Sequence, residues 1–136
     1  MSNRLKEKMA LLVMYLVTYN HHHNLRPWTE YALSERIDTP VGPLQRLLKL
    51  LVDGGFLVST AEDPPTYLPA RDIETILVAD LVASVREAEE SDVLAQDRLI
   101  SIEPVNEVVD RLQTAMAATL SNQNFKSMVL VDDEND

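Results

Sequence analysis

Three consecutive histidines, His21, His22 and His23, stand in the stretch NHHHN, and imidazole is the commonest side-chain ligand for metal ions. Consecutive residues at a helix end diverge, so only two of the three can face one ion. No nearby carboxylate pair completes a tetrahedral set. The fitting reading is a group of histidines at a helix C-terminus, where a protonated ring complements the dipole. No metal is expected. Ser34, Ser59 and Ser84 lack the glycine-flanked elbow of a nucleophile, and the three glycines form no phosphate-cradling loop. The abundant carboxylates show no pairing that marks a catalytic dyad and read as a solvated face. With no cysteine in the chain, disulfides, Cys-type zinc sites and Cys-ligated iron–sulfur clusters are excluded. Neither a cofactor nor a catalytic residue is expected. What remains is Gln45, Arg46 and Lys49 in PVGPLQRLLKLLVD, one amide and two cations suited to base edges and phosphates.

Those three side chains need a firm helix beneath them. Leu44, Leu47, Leu48, Leu51 and Val52 recur at helical spacing, and Gly54-Gly55 supplies a left-handed stop. Thr39 is the expected cap of this helix, with Pro40 at its first position. Before it, PWTEYALSERID predicts a shorter helix capped by Thr29, with Tyr31 or Ala32, Leu33 and Ile37 as its apolar stripe. A first helix is expected over residues 4–19, apolar nearly all round in its middle, failing at residues 20–27. After the glycines, FLVST and TYL flank AEDPP and read as a two-stranded hairpin. Helix, helix, short turn, helix and hairpin is the order of a winged helix-turn-helix, here spanning residues 4–69.

Next, Ile73, Ile76, Leu77, Leu81 and Val85 predict another amphipathic helix, with Asp72 or Thr75 to cap it. EAEESDVLAQD is polar and acidic and reads as a linker. Pro104 opens a helix carrying Val105, Val108, Val109, Leu112, Ala115, Met116 and Leu120 on a heptad-like seam. That seam reads as a dimer interface through Val105, Val108, Leu112, Ala115 and Met116, with burial in the chain's own core as the alternative. FKSMVLV reads as a strand or a final helical segment packing back, and DDEND as a solvated tail. The expected fold class is mainly α, an α+β winged helix-turn-helix with a small wing and appended C-terminal helices. The expected divisions are residues 1–86, a linker over 87–101 and a dimerisation or packing helix with tail over 102–136.

Charge bears on partners. Residues 1–70 hold seven basic and seven acidic residues, whereas residues 71–136 hold five and fifteen, so the whole net charge of −10 lies in the second half. Affinity for nucleic acid rests largely on neutralising phosphates, so DNA contact is confined to the first half and disfavoured by the overall acidity. Two cations and one carboxylate lie within residues 41–53, and Glu62 and Asp63 stand at the wing tip. A protein partner or a second copy of the chain fits this balance better. The longest apolar run, residues 9–17, has nine residues against the roughly 20 of a bilayer span, and no small-residue cleavage site follows it. A soluble, cytoplasmic chain is expected.

Three stretches, KEKMALLVMYLV, LLVDGGFLV and YLPARDIETILVADLVASVR, resemble the C-terminal cytoplasmic region of the YihY/BrkB family of inner-membrane proteins, long labelled tRNA-processing ribonuclease BN. The similarity covers about residues 5–86 and, more weakly, the last helix with FKSMVLV. It implies a non-enzymatic interaction or regulatory module, tethered in relatives to a membrane portion that this chain lacks. The label also implies a tRNA-processing ribonuclease, but HHH is not the H-x-H-x-D-H site of such nucleases. The same run is similar to the Rrf-type winged-helix regulators, where a comparable strand precedes a comparable helix. That likeness implies a dimeric DNA-binding transcriptional regulator. The family's cluster cysteines have no counterpart in EAEESDVLAQDRLIS, so cluster sensing is not implied. A threonine that caps the following helix in both families is replaced here by Leu77.

Overall fold

The computed structural model describes residues 3–93, 100–121 and 123–134, with backbone alone for residues 3, 89–93 and 131–134. Helix α1 (Asn3–His22) is the spine. Met9, Ala10, Val13, Met14 and Val17 are buried along it, and α4, α6, the wing, α2 and α3 all pack on it. This explains its apolar middle, since one face meets the winged-helix layer and another meets the C-terminal helices. Buried Thr18 fits because its hydroxyl donates to the Met14 carbonyl at 2.6 Å.

Strand β1 (Trp28–Thr29) follows, then α2 (Glu30–Ile37) and α3 (Val41–Asp53). The hairpin is β2 (Leu57–Ser59) and β3 (Thr66–Pro69). The sheet is antiparallel, in the order β1-β3-β2. The third strand is an addition to the expected pair: Trp28 pairs with Tyr67 and Thr29 with Thr66. The Trp28 indole N–H donates to the Leu16 carbonyl at 3.0 Å, fastening the sheet to α1.

All three helices of this layer stop on a left-handed residue. Asn24 (φ 59°), Asp38 (φ 65°) and Gly55 (φ 83°) take that conformation. In each case the next N–H reaches back five residues: Leu25 to Asn20, Thr39 to Ser34 and Phe56 to Leu51. These are Schellman closures, which satisfy otherwise orphaned carbonyls. Thr29 does cap α2, its hydroxyl accepting from the Ala32 N–H at 3.1 Å. The expected Thr39 cap does not form. Pro40 occupies the cap position in extended conformation with no side-chain bond, while the Thr39 carbonyl accepts from the Ser34 hydroxyl.

The amphipathic helix expected from Ile73 is split. Ile73–Thr75 is a 3-10 turn capped by Asp72, whose carboxylate accepts from the Glu74 N–H, and α4 begins at Val78 (Val78–Val93). The reason lies across the chain. Leu77 bridges Asn124, Val78 N–H donates to the Gln123 carbonyl, and Phe125 N–H donates to the Ile76 carbonyl. These bonds hold the backbone at residues 76 and 77 out of the helix. They also place the Gln123 carbonyl at the first turn of α4. The helix extends to Val93, inside the stretch read as a linker, and residues 94–99 lie outside the described residues.

Helix α5 (Glu103–Thr119) has Pro104 in its first turn. FKSMVLV is helical, forming the start of α6 (Phe125–Glu134), with Phe125 and Val129 fully buried. The helix also takes in residues 132–134 of the stretch read as a tail. Leu81, Val82 and Val85 of α4 and Phe125 complete the core laid down by α1, Leu33 and the α3 leucines.

Candidate nucleic-acid interface

Leu44, Leu47, Leu48 and Leu51 bury one side of α3. That fixes the helix rotation and leaves Gln45, Arg46 and Lys49 exposed on the other side. The structure therefore brings the three residues together on one helical face, as their spacing requires. Each has local company. Lys49 Nζ lies 3.0 Å from Asp53 Oδ2, with both side chains more than half exposed; such a surface pair contributes about 0–1 kcal/mol and yields readily to a phosphate. Arg46 folds back along the helix, its Nη1 lying 3.9 Å from where a Cβ on Gly42 would stand. Gln45 Nε2 donates to Glu30 Oε2 at 3.1 Å.

Glu30 and, beside it, Tyr67 are neighbours that sequence reasoning missed. Glu30 opens α2 directly after the Thr29 cap, where a carboxylate complements the helix N-terminus. An acidic first-turn residue reads as helix support, so its bond to Gln45 carries no sequence signal. Tyr31 is 70 % exposed and so does not belong to the apolar stripe of α2, which runs through Leu33. A hydrogen bond to Glu35, reinforced by that carboxylate's charge, raises the Tyr31 phenol above its ordinary pKa. Tyr67 on β3 is raised first by burial and then by the charge of Glu30.

The wing tip is acidic and ordered by its own bonds. The Thr66 hydroxyl donates to Glu62 Oε2 at 3.1 Å, and the Thr60 and Thr66 hydroxyls lie 2.9 Å apart. Asp63 precedes a cis proline at the exposed turn.

Away from this face, the α5 seam is laid bare. Val105, Val108 and Leu112 are 57 %, 46 % and 66 % exposed, and Ala115 is exposed beside them, while Met116 is half-buried against the core. A groove of about 750 Å³ runs between α4 and α5, lined by Val82, Val109, Leu112, Met116 and Leu120, with Arg86 at its edge. Arg86 is bonded to Glu7 of α1.

His21, His22 and His23 lie in the last turn of α1 and just past it. The His23 ring centroid sits 4.2 Å from that of Tyr19 in a tilted contact and 4.9 Å from that of His22 in an edge-on one. Among the described residues no three His, Cys, Asp or Glu side chains cluster as a metal site. No helix among them is long and apolar enough to cross a membrane.

Neither a family model nor a curated protein matches the chain. Solved structures do. The chain superposes on IscR of T. potens with a TM-score of 0.71 at 16 % identity, over 96 % of this chain and 87 % of that one. CymR (YrzC), the global cysteine regulator of B. subtilis, gives 0.68 at 18 % identity over 93 % and 94 %. The oxidized form of Staphylococcus aureus CymR gives 0.69 at 16 % over 95 % and 96 %. The fold is a winged helix-turn-helix, shared along almost the whole chain. The resemblance to Rrf-type regulators holds at the level of fold, and the YihY/BrkB and ribonuclease resemblance finds no support in these comparisons.

Proposed function

We propose that this chain is a dimeric, DNA-binding transcriptional regulator of the Rrf type. Helix α3 would enter the major groove and the α5 seam would join two protomers. The observation that carries this is the α3 face: Gln45, Arg46 and Lys49 stand exposed together on a helix whose other side is clamped by four buried leucines. The likeness to IscR and CymR along nearly the full chain supports the reading. In such a complex Arg46 and Lys49 neutralise phosphates and Gln45 meets base edges.

Two cations from each of two protomers predict a shallow salt dependence. The slope of log affinity against log salt should lie at about −3 to −4. The test is selection of duplexes from a randomised library, followed by fluorescence anisotropy across a salt series. Arg46→Ala and Lys49→Ala should each weaken binding and flatten the slope by about one unit for every phosphate no longer neutralised. A purified protein with no duplex affinity at low salt would overturn the reading. It would favour the rival, a non-enzymatic protein-interaction module, which the acidic Glu62–Asp63 wing tip and the net charge of −10 support.

A further inference from the structure

We infer that Glu30 is a positioning residue that holds the Gln45 carboxamide ready for adenine at one position of each half-site. The inference rests on the DNA-binding reading above. Gln45 lies in the first turns of α3, the part of a recognition helix that approaches base edges. A lone exposed glutamine is ambiguous, since its amide can present nitrogen or oxygen to either side. Here the ambiguity is removed. A carboxylate only accepts hydrogen bonds, so the amide atom 3.1 Å from Glu30 Oε2 is Nε2. Turning the amide over would set Oε1 against a carboxylate oxygen, acceptor against acceptor.

With the N–H trans to the carbonyl given to Glu30, Gln45 keeps the cis N–H and the carbonyl oxygen side by side. That donor and acceptor match adenine N7 and N6–H₂ in the major groove. Guanine offers two acceptors, O6 and N7, and the second amide donor that would satisfy them is already engaged. The arrangement therefore favours adenine and disfavours guanine.

Glu30 is itself firmly placed. It directly follows Thr29, which pairs with Thr66 in the sheet and caps α2. Its charge reaches Tyr67 on the neighbouring strand. The carboxylate thus sits where wing and helix-turn-helix meet, and it ties the amide of one to the frame of the other. Toward DNA it acts only through Gln45, because a carboxylate in that place repels phosphate.

The experiment compares wild type, Gln45→Ala, Glu30→Ala and Glu30→Gln by selection from a randomised duplex library, with affinities measured on the selected site and on its single-base variants. Wild type should select adenine at one position per half-site, on the order of ten- to a hundred-fold over guanine, and Gln45→Ala should lose that preference. Glu30→Ala should lose most of it while affinity averaged over sequences holds or rises, because a charge that repels phosphate has gone. Glu30→Gln keeps a carbonyl acceptor and should restore the preference. A merely structural role would lower binding to every sequence alike and spare the preference. The inference falls if Glu30→Ala retains full adenine selection, or if the position governed by Gln45 prefers another base. It falls alone if wild type selects a site whose readout is indifferent to Gln45, and together with the functional reading if wild type selects no duplex.

Discussion

At the scale of single residues, Glu30 acts on two neighbours at once, through a hydrogen bond to Gln45 and through its charge on Tyr67. The second effect can be read without DNA. A raised phenol pKa means that the fold holds the proton more tightly than the unfolded chain does. Tyr67 therefore contributes stability that is fully present below its ordinary ionisation point and disappears as pH rises through the raised one. Alkaline titration of phenolate absorbance should show a late-ionising tyrosine, and Glu30→Gln should bring it earlier. The return should be partial, since burial is the larger cause. Thr29 offers a second test. Its hydroxyl satisfies the Ala32 N–H, so Thr29→Ala should lower unfolding free energy by about 1 kcal/mol in urea denaturation. The Thr29 cap was legible in PWTEYALSERID, whereas the Glu30–Gln45 bond was not. The two residues stand fifteen apart, and only the packing of α2 on α3 makes them neighbours.

At the scale of elements, helices whose sequence carries both a start signal and a periodic face were readable, and segments shaped by a distant partner were not. Leu44, Leu47, Leu48 and Leu51 declared α3 and its rotation. β1 is two residues long, too short for any alternation, and exists because β3 offers it an edge. Ile73 and Ile76 continue the apolar pattern of α4, yet Ile73 lies in a 3-10 turn and bonds from residues 124 and 125 hold the backbone at Ile76 and Leu77 out of the helix. FKSMVLV suits strand or helix by composition; helix is taken because Phe125 and Val129, one turn apart, then bury together. Helix α5 was legible from its apolar spacing, and the structure leaves Val105, Val108 and Leu112 uncovered by the described residues of the chain itself. Replacing Val108 and Leu112 together with aspartate should yield a monomer by sedimentation. The melting temperature of the monomeric fold should barely move, because exposed sites carry little of its stability. A dimer that survives the double change has its interface elsewhere.

At the scale of the whole molecule, α1 joins two layers. The winged-helix layer packs on one part of it, and α4 with α6 packs on another. Phe125 is fully buried where α6 joins this core, so Phe125→Ala should cost about 3–5 kcal/mol by urea unfolding, with all spectroscopic probes moving in one transition. The sequence showed α1 to be apolar nearly all round in its middle without showing which elements pack on it, and Leu12 there stays exposed. A last consequence follows from the sparse cations of α3, where Lys49 is shared with Asp53. Non-specific residence on duplex draws its strength almost wholly from cation–phosphate attraction, and this face has little to give. As a regulator, such a protein would dwell only briefly on foreign sequence. It would search by repeated excursions through solution more than by sliding, and each visit to a correct site would be held mainly by what α3 recognises there.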